Sequence, residues 1–349
     1  MTVAATGRVI AATLALVISS VALVGCDDAG DHPQAPPGRL TVAGYLVPWD
    51  PRSTPASGAG VLAEVSPVWL RPTDDGAVEY VSDLARATAP EELGVPVAPS
   101  ISNFRNGRWD GDLVARLVGD PEQRTAHVAA IVDMVRSNGW RGVDLDYESL
   151  PASSREAYGA FVAELADALH EIPARLSVTV HAKTNEPGEW AGAQAQDWRA
   201  IGAAADEVRV MAYDHSFAGS PPGPIAPLPW VDQVLALAAA SVPLERIALG
   251  VATYGYDWSG PAPAAAMQWA EIDALAAGRG GSPQWDDQSA SPWLRYTDDG
   301  GAEHTVWYED ARSLQAKLDL AQRHGVSRVV IWRLGGEDPA IWSTLRAAQ

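Results

Sequence analysis

The stretch Trp140–Glu148, WRGVDLDYE, sets Asp144, Asp146 and Glu148 at every second position, with Val143, Leu145 and Tyr147 between or beside them. Period 2 marks a strand, which sends alternate side chains to one face. The three carboxyls therefore share a face, with roughly 6–7 Å between neighbours by strand rise. A carboxylate placed deep on such a face needs hydrogen bonds or a proton, because burying a bare charge is costly. Acids within reach of one another also cannot both ionise freely, so one pKa rises. A carboxyl that keeps its proton near neutral pH is what a general acid requires, and Glu148, the outermost of the three, is the candidate. A metal site fits less well: no His stands nearby in sequence, and three in-line acids fan poorly around one ion. A merely solvated strand would leave all three acids in water.

The elements that must hold these acids follow from the rest of the pattern. Short apolar runs at 41–49, 65–71, 95–102, 140–148, 175–183, 207–214, 246–254 and 327–334 read as eight strands. Helical patterns fill the intervals, clearest at 121–138, 155–171, 195–205, 230–241, 309–324 and 337–347. The helix at 121–138 has Asp120 as cap and Pro121 at its first position, and it ends at Asn138-Gly139. Eight strands alternating with helices predict an α/β fold, a (β/α)8 TIM barrel. Runs such as VVIW and IALGVA suit strands buried on both faces. A doubly wound sheet is the weaker alternative, since no Gly-rich phosphate loop follows the first strand. Residues 259–305 break the rhythm and read as a small α+β insertion after strand 7, walling one side of a cleft. In such barrels the active site lies at the carboxyl ends of the strands, where Glu148 falls.

Composition limits the partners. The formal charge of −19 becomes one unit more negative without Arg8, which argues against nucleic acid and anionic lipid surfaces as ligands. Fourteen Trp supply flat apolar faces with a polar handle, on which sugar rings can stack. Residues 1–26 carry Arg8, then an apolar run from Val9 to Val24, and end in Leu-Val-Gly-Cys at Cys26, the only cysteine. This predicts a signal peptide whose end looks like a bacterial lipobox, with Cys26 the lipidated residue and a membrane anchor. An ordinary cleaved signal or an uncleaved anchor are the alternatives. Residues 27–38, DDAGDHPQAPPG, suit a flexible tether, and 39–349 reads as one barrel domain. An exported, monomeric protein at the outer face of the cell membrane, or secreted, is the expectation.

GVDLDYE resembles the DxxDxDxE signature of glycoside hydrolase family 18, the chitinase-like barrels. Met211-Ala212-Tyr213-Asp214 at the sixth strand and Trp332 in VVIWRLGGEDP at the eighth are similar to that family as well. The segments APLPWVDQVLALA, LGVATYGYDW and HTVWYEDARSLQAKL resemble its branch of spore cortical-fragment-lytic N-acetylglucosaminidases. The resemblance covers about 39–349 and implies retaining, substrate-assisted hydrolysis, without metal or cofactor, of an N-acetylglucosamine-containing glycan. It implies Glu148 as the acid, Asp146 as the residue that orients the substrate acetamido group, Asp144 behind it, and Tyr213 as donor to the acetamido oxygen. Trp332 would floor the sugar, with Asp214 and Met211 beside it; a helix cap explains Asp214 equally well. Tyr45, Trp49, Asn103 and Tyr254 fall at predicted strand ends and are candidate subsite residues, while Trp258 and Trp307 line either the cleft or the insertion core.

One position departs from the signature: Arg141 stands where the first acid belongs. A shifted pH profile is the expected consequence. A lectin-like barrel that binds glycan without cutting it is the competing expectation, and a transglycosylase the third. The polymer, chitin-like or peptidoglycan, is left open, as is endo against exo action.

Overall fold

The computed structural model describes residues 38–83, 85, 94–279 and 281–349; the leader with Cys26 and tether residues 27–37 lie outside the described residues. The eight barrel strands are β1 (Thr41–Leu46), β2 (Leu62–Pro72), β3 (Ser100–Ser102), β4 (Gly142–Asp146), β5 (Arg175–His181), β6 (Glu207–Met211), β7 (Ile247–Ala252) and β8 (Arg328–Trp332). Each pairs in parallel with the next, and β8 pairs with β1, so the sheet closes into the (β/α)8 barrel. A short antiparallel strand, Val78–Tyr80, hangs on β2.

Alternation decides which side chains meet. On β4 and just past its end, the odd residues Val143, Leu145 and Tyr147 are fully buried outside the barrel, in the main core with Phe161 and Leu165 of the helix Arg155–His170. Each such side chain contributes about 1.5–3 kcal/mol by leaving water. The even residues point inward to a polar interior of hydroxyls and one ion network. The helix Pro121–Asn138 starts as its cap predicts: Asp120 accepts from the backbone N–H of Glu122 and Gln123, and Gly139 ends it at φ +64°.

Several boundaries differ from expectation, each for a local reason. The third strand shrinks from 95–102 to three residues plus one bridge at Val97, since Pro96 and Pro99 have no N–H to donate to a ladder. The fourth ends at Asp146, because Ser149 turns the chain at φ +57°. The seventh ends at Ala252. Tyr254–Trp258 instead pairs antiparallel with Glu303–Tyr308, opening a five-stranded sheet that carries the helix Trp269–Arg279. The insertion thus runs from Tyr254 to Tyr308. The pattern at 195–205 splits into two short helices, Ala191–Ala195 and Trp198–Ala204, the second capped by Asp197. A helix at Gly111–Gly119, capped by Asp110, was not expected. Among the described residues no helix is long and apolar enough to cross a membrane.

Candidate active site

The site is built from the barrel interior upward. Asp144 is wholly buried, and the hydroxyls of Tyr45, Ser100, Ser177 and Thr179, from β1, β3 and β5, converge on its carboxylate at 2.8–3.3 Å. The guanidinium of Arg209 on β6 adds its charge at 3.4 Å. Arg209 in turn holds Glu64 at 2.7 Å, Glu207 at 2.8 Å and the Ser66 hydroxyl at 2.6 Å. The Asp144 carboxyl is therefore saturated with partners, with no contact to spare for a ligand.

Asp146 sits one step higher. It is buried, and its Oδ1 has no hydrogen-bond partner among the described residues. Burial first, then the negative charge of Asp144, push its pKa well above the ordinary carboxylate range, with Arg209 pulling the other way. Glu148 stands beyond the end of β4. Asn103 fixes its backbone in both directions: the Glu148 N–H donates to Oδ1 and Nδ2 donates to the Glu148 carbonyl, both at 2.9 Å. A side chain at Gly111 would overlap the Ser149 carbonyl, so only glycine lets this turn pack on the helix below it. Burial, Asp146 and Asp214 push the Glu148 carboxyl well up.

Tyr213 and Asp214 follow β6. A side chain at Gly250 would lie 2.5 Å from the Val210 carbonyl and 3.1 Å from the Tyr213 ring, so the glycine on β7 makes room for both. Asp214 adopts φ +57°, a left-handed conformation held by two tyrosines: Tyr254 donates to Oδ1 at 2.6 Å and Tyr256 at 3.3 Å. It caps no helix. Met211, Tyr213 and Asp214 all line the larger of two adjacent cavities, about 980 Å³, together with Glu148 and Asp146. The second, about 570 Å³, holds Trp49, Phe104, Trp109 and Arg105. Trp332, at the end of β8, lines both, as do Asp146 and Trp109. Its ring meets Tyr45 edge-on at 5.3 Å, and the Trp332–Arg333 peptide is cis.

Some candidates have their polar groups committed to other parts of the protein. Tyr45 lines the floor, but its hydroxyl is committed to Asp144 and Thr179. Asn103 is spent on the Glu148 backbone and Tyr254 on Asp214. Trp258 is buried in the insertion, donating to the Ser220 carbonyl, and Trp307 stacks on Trp293 at 5.8 Å. Trp49 is the most open, 63% exposed at the rim. Arg141 is exposed just before β4, at the opposite end from Glu148, and the cation beside Asp144 is Arg209.

The sequence reading missed Arg209, His181, Lys183 and Gln196. An Arg two residues after a Glu inside the apolar run EVRVM was the available signal for the first. His181 ends β5; its Nδ1 is 3.7 Å from Glu148 Oε2, and Trp190 covers it with ring centroids 4.4 Å apart. The fully buried Gln196 accepts from the His181 N–H at 2.7 Å and donates to the Tyr147 carbonyl at 3.2 Å. Lys183, also buried, donates to the Gln196 carbonyl at 2.8 Å and pairs with Glu186. Tyr147 is pinned from behind, donating to His127 Nε2 at 2.7 Å while Nδ1 donates to the Gly76 carbonyl.

Comparison with known proteins finds relatives in sequence and in fold. The cortical fragment-lytic enzyme of Bacillus subtilis is 32% identical over 252 residues, 70% of this chain and 58% of that protein. The enzyme of the same name from Bacillus cereus is 31% identical over 280 residues, 78% of this chain and 64% of that one. The chain thus spans less than two thirds of the length of these relatives. Among solved structures, the Bacillus cereus spore cortex-lytic enzyme SleL superposes with a TM-score of 0.81 at 26% identity, covering 90% of this chain and 76% of that one. The chitinase from Chromobacterium violaceum ATCC 12472 gives 0.82 at 28% identity, covering 88% and 98%. The profile of Glycosyl hydrolases family 18 matches residues 78–337, inside which Asp144, Asp146, Glu148, Tyr213 and Trp332 all fall, and the chain belongs to that family.

Proposed function

We propose that this protein hydrolyses β-1,4 bonds that follow N-acetylglucosamine, with retention and with the substrate's own acetamido group as nucleophile. The observation that carries this is the graded acid ladder: a saturated Asp144, an Asp146 with one buried oxygen lacking a donor, and a Glu148 whose carboxyl is pushed toward the protonated form. A sugar stacked on Trp332 would bring its acetamido N–H to Asp146 and its acetamido oxygen to the Tyr213 hydroxyl. Glu148 gives its proton to the glycosidic oxygen as the acetamido oxygen bonds to the anomeric carbon. The oxazolinium ring carries the positive charge, and Asp146, facing its N–H, stabilises it. In the second step Glu148, now a carboxylate, takes a proton from water, and the water oxygen displaces the acetamido group from the anomeric carbon.

The shape of the groove extends the proposal. Of the five exposed large apolar side chains among the described residues, four are aromatic and lie on its rim: Trp190 and Phe217 on the larger lobe, Trp49 and Phe104 on the smaller. Rings on both sides of Trp332 fit a chain that passes through, so internal bonds of an oligomer are reached. If the leader is processed at Cys26 as the sequence reads, this activity would sit on the outer membrane face, on peptidoglycan fragments or chitin-like oligomers. The test is to incubate the full chain and Glu148→Gln with N-acetylglucosamine oligomers and with muramidase-digested peptidoglycan, and to weigh the products. Cleavage by the wild type alone supports the proposal, and the pool that is cut names the polymer. Binding without cleavage by the wild type would establish a glycan reader on the same barrel.

A further inference from the structure

We propose that His181 is a positioning residue for Glu148: its Nδ1–H donates to the Glu148 carboxylate formed when the acid gives up its proton. This rests on the function proposed above. Three observations support it. The two groups are 3.7 Å apart on neighbouring strand ends, and such contacts tighten when substrate closes a site. The Ser149 N–H points at Nε2 at 3.5 Å, which makes Nε2 the acceptor and leaves the ring proton on Nδ1, facing Glu148. The pair also cannot drift apart, because Gln196 ties the His181 backbone to the residue before Glu148 while Trp190 covers the ring.

The charges around the pair leave His181 as the donor on that side. Asp146 and Asp214 face Glu148, and both repel its carboxylate; Tyr213 is the neighbouring hydroxyl. Asn103 is occupied with the backbone. Burial lowers the imidazole to about 4, so through the working range it is neutral and keeps its one N–H. The proton stays on Nδ1 throughout. What changes is the charge of its partner: a neutral acid before the first step, a carboxylate between the two steps. A donor selective for the carboxylate steadies the species that must next deprotonate water, and it limits how far Asp146 and Asp214 raise the acid.

The experiment compares the full chain with His181→Phe, which keeps a ring under Trp190 but has no donor, and His181→Asn, whose amide nitrogen replaces Nδ1. The basic limb of the kcat/KM pH profile should move up by about one to two units in the Phe variant and return to within about half a unit of wild type in the Asn variant. Equal loss of rate in both with an unmoved limb would overturn the proposal and leave only packing. Two readouts need no turnover, so they stand even if the protein proves to cleave nothing. The 13Cδ titration of Glu148, assigned by its absence in Glu148→Gln, should show the same upward shift in His181→Phe. In the wild type, long-range 1H–15N correlation should find His181 as the Nδ1–H tautomer, and the Nε2–H tautomer would sink the idea without any variant.

Discussion

Replacing Arg209 with Met removes the only cation among the described residues that touches Asp144, while keeping most of the side-chain volume. Arg209 is 1% exposed and serves Glu64, Glu207 and Asp144 at once. Taking one partner from a buried ion cluster costs about 3–5 kcal/mol, because the charges left behind are uncompensated. Unfolding about 310 residues has an entropy of about 0.65 kcal/mol per kelvin. The melting temperature at pH 7 should therefore fall by about 5–8 °C. The loss also has a pH signature. Burial raises the Glu64 carboxyl and Arg209 offsets part of that rise. For Glu207 the opposing burial is outweighed by Arg209 and other arginines, and its carboxyl sits below the ordinary value. Glu207 thus stabilises the fold above the unfolded carboxylate pKa, and that contribution disappears as the pH falls through its folded value. Without Arg209 both carboxyls rise, so they take up protons in the folded state and recover part of the loss on acidification. The gap between wild type and variant should be widest at pH 7 and shrink at pH 4, as read by calorimetry at both. A drop under about 2 °C, or the same drop at both pH values, would refute the view of Arg209 as the counter-charge of the barrel interior.

Three further outcomes follow from the geometry. Glu148→Gln should abolish cleavage yet stabilise the fold by about 0.5–2 kcal/mol at pH 7, a gain absent at pH 4 where the acid is protonated in either state; a lower melting temperature at pH 7 would contradict the crowding of Glu148 by Asp146 and Asp214. Asn103→Ala should lower kcat about tenfold with KM nearly unchanged, since Asn103 holds the acid rather than the sugar; a rise in KM alone would place it in a subsite. Trp49→Ala and Phe104→Ala should each lower kcat/KM for long oligomers about three- to tenfold and leave the shortest substrate unaffected, measured over a length series; an equal loss at every length would close the smaller lobe as a binding surface.

The barrel and the acid ladder were legible because both rest on periodicity. Strand alternation predicted that Asp144 and Asp146 share a face, and the structure puts both inside the barrel. What periodicity cannot supply is the partner set of each side chain. Tyr45, Asn103 and Tyr254 were found as strand-end residues, but whether such a residue meets ligand or another side chain depends on strands distant in sequence: Asn103 reaches Glu148 across 45 residues, and Tyr45 reaches Thr179 across 134. Arg209 was hidden for the same reason, since one charge in an apolar run gives no sign of the three carboxylates waiting around it. Arg141, which breaks the signature, is exposed just before the fourth strand, at the opposite end from Glu148.

The tie formed by Lys183 and Gln196 divides the neighbouring loop into two kinds of sequence. Both residues are buried and bonded to each other across its base, and Gln196 carries the clips to Tyr147 and His181. In the stretch between them, Trp190 covers the His181 ring, while Glu189 and Ala191 are exposed. Those two positions are therefore the natural place for grafting: residues there can be exchanged to retune which glycan enters the larger lobe, while the anchors keep the acid where it is. A library confined to Glu189 and Ala191, with an aromatic kept at 190 and Lys183, Gly188, Gly192 and Gln196 fixed, would sample specificity at little cost in folding, whereas one that varied the anchors would mostly sample misaligned acids.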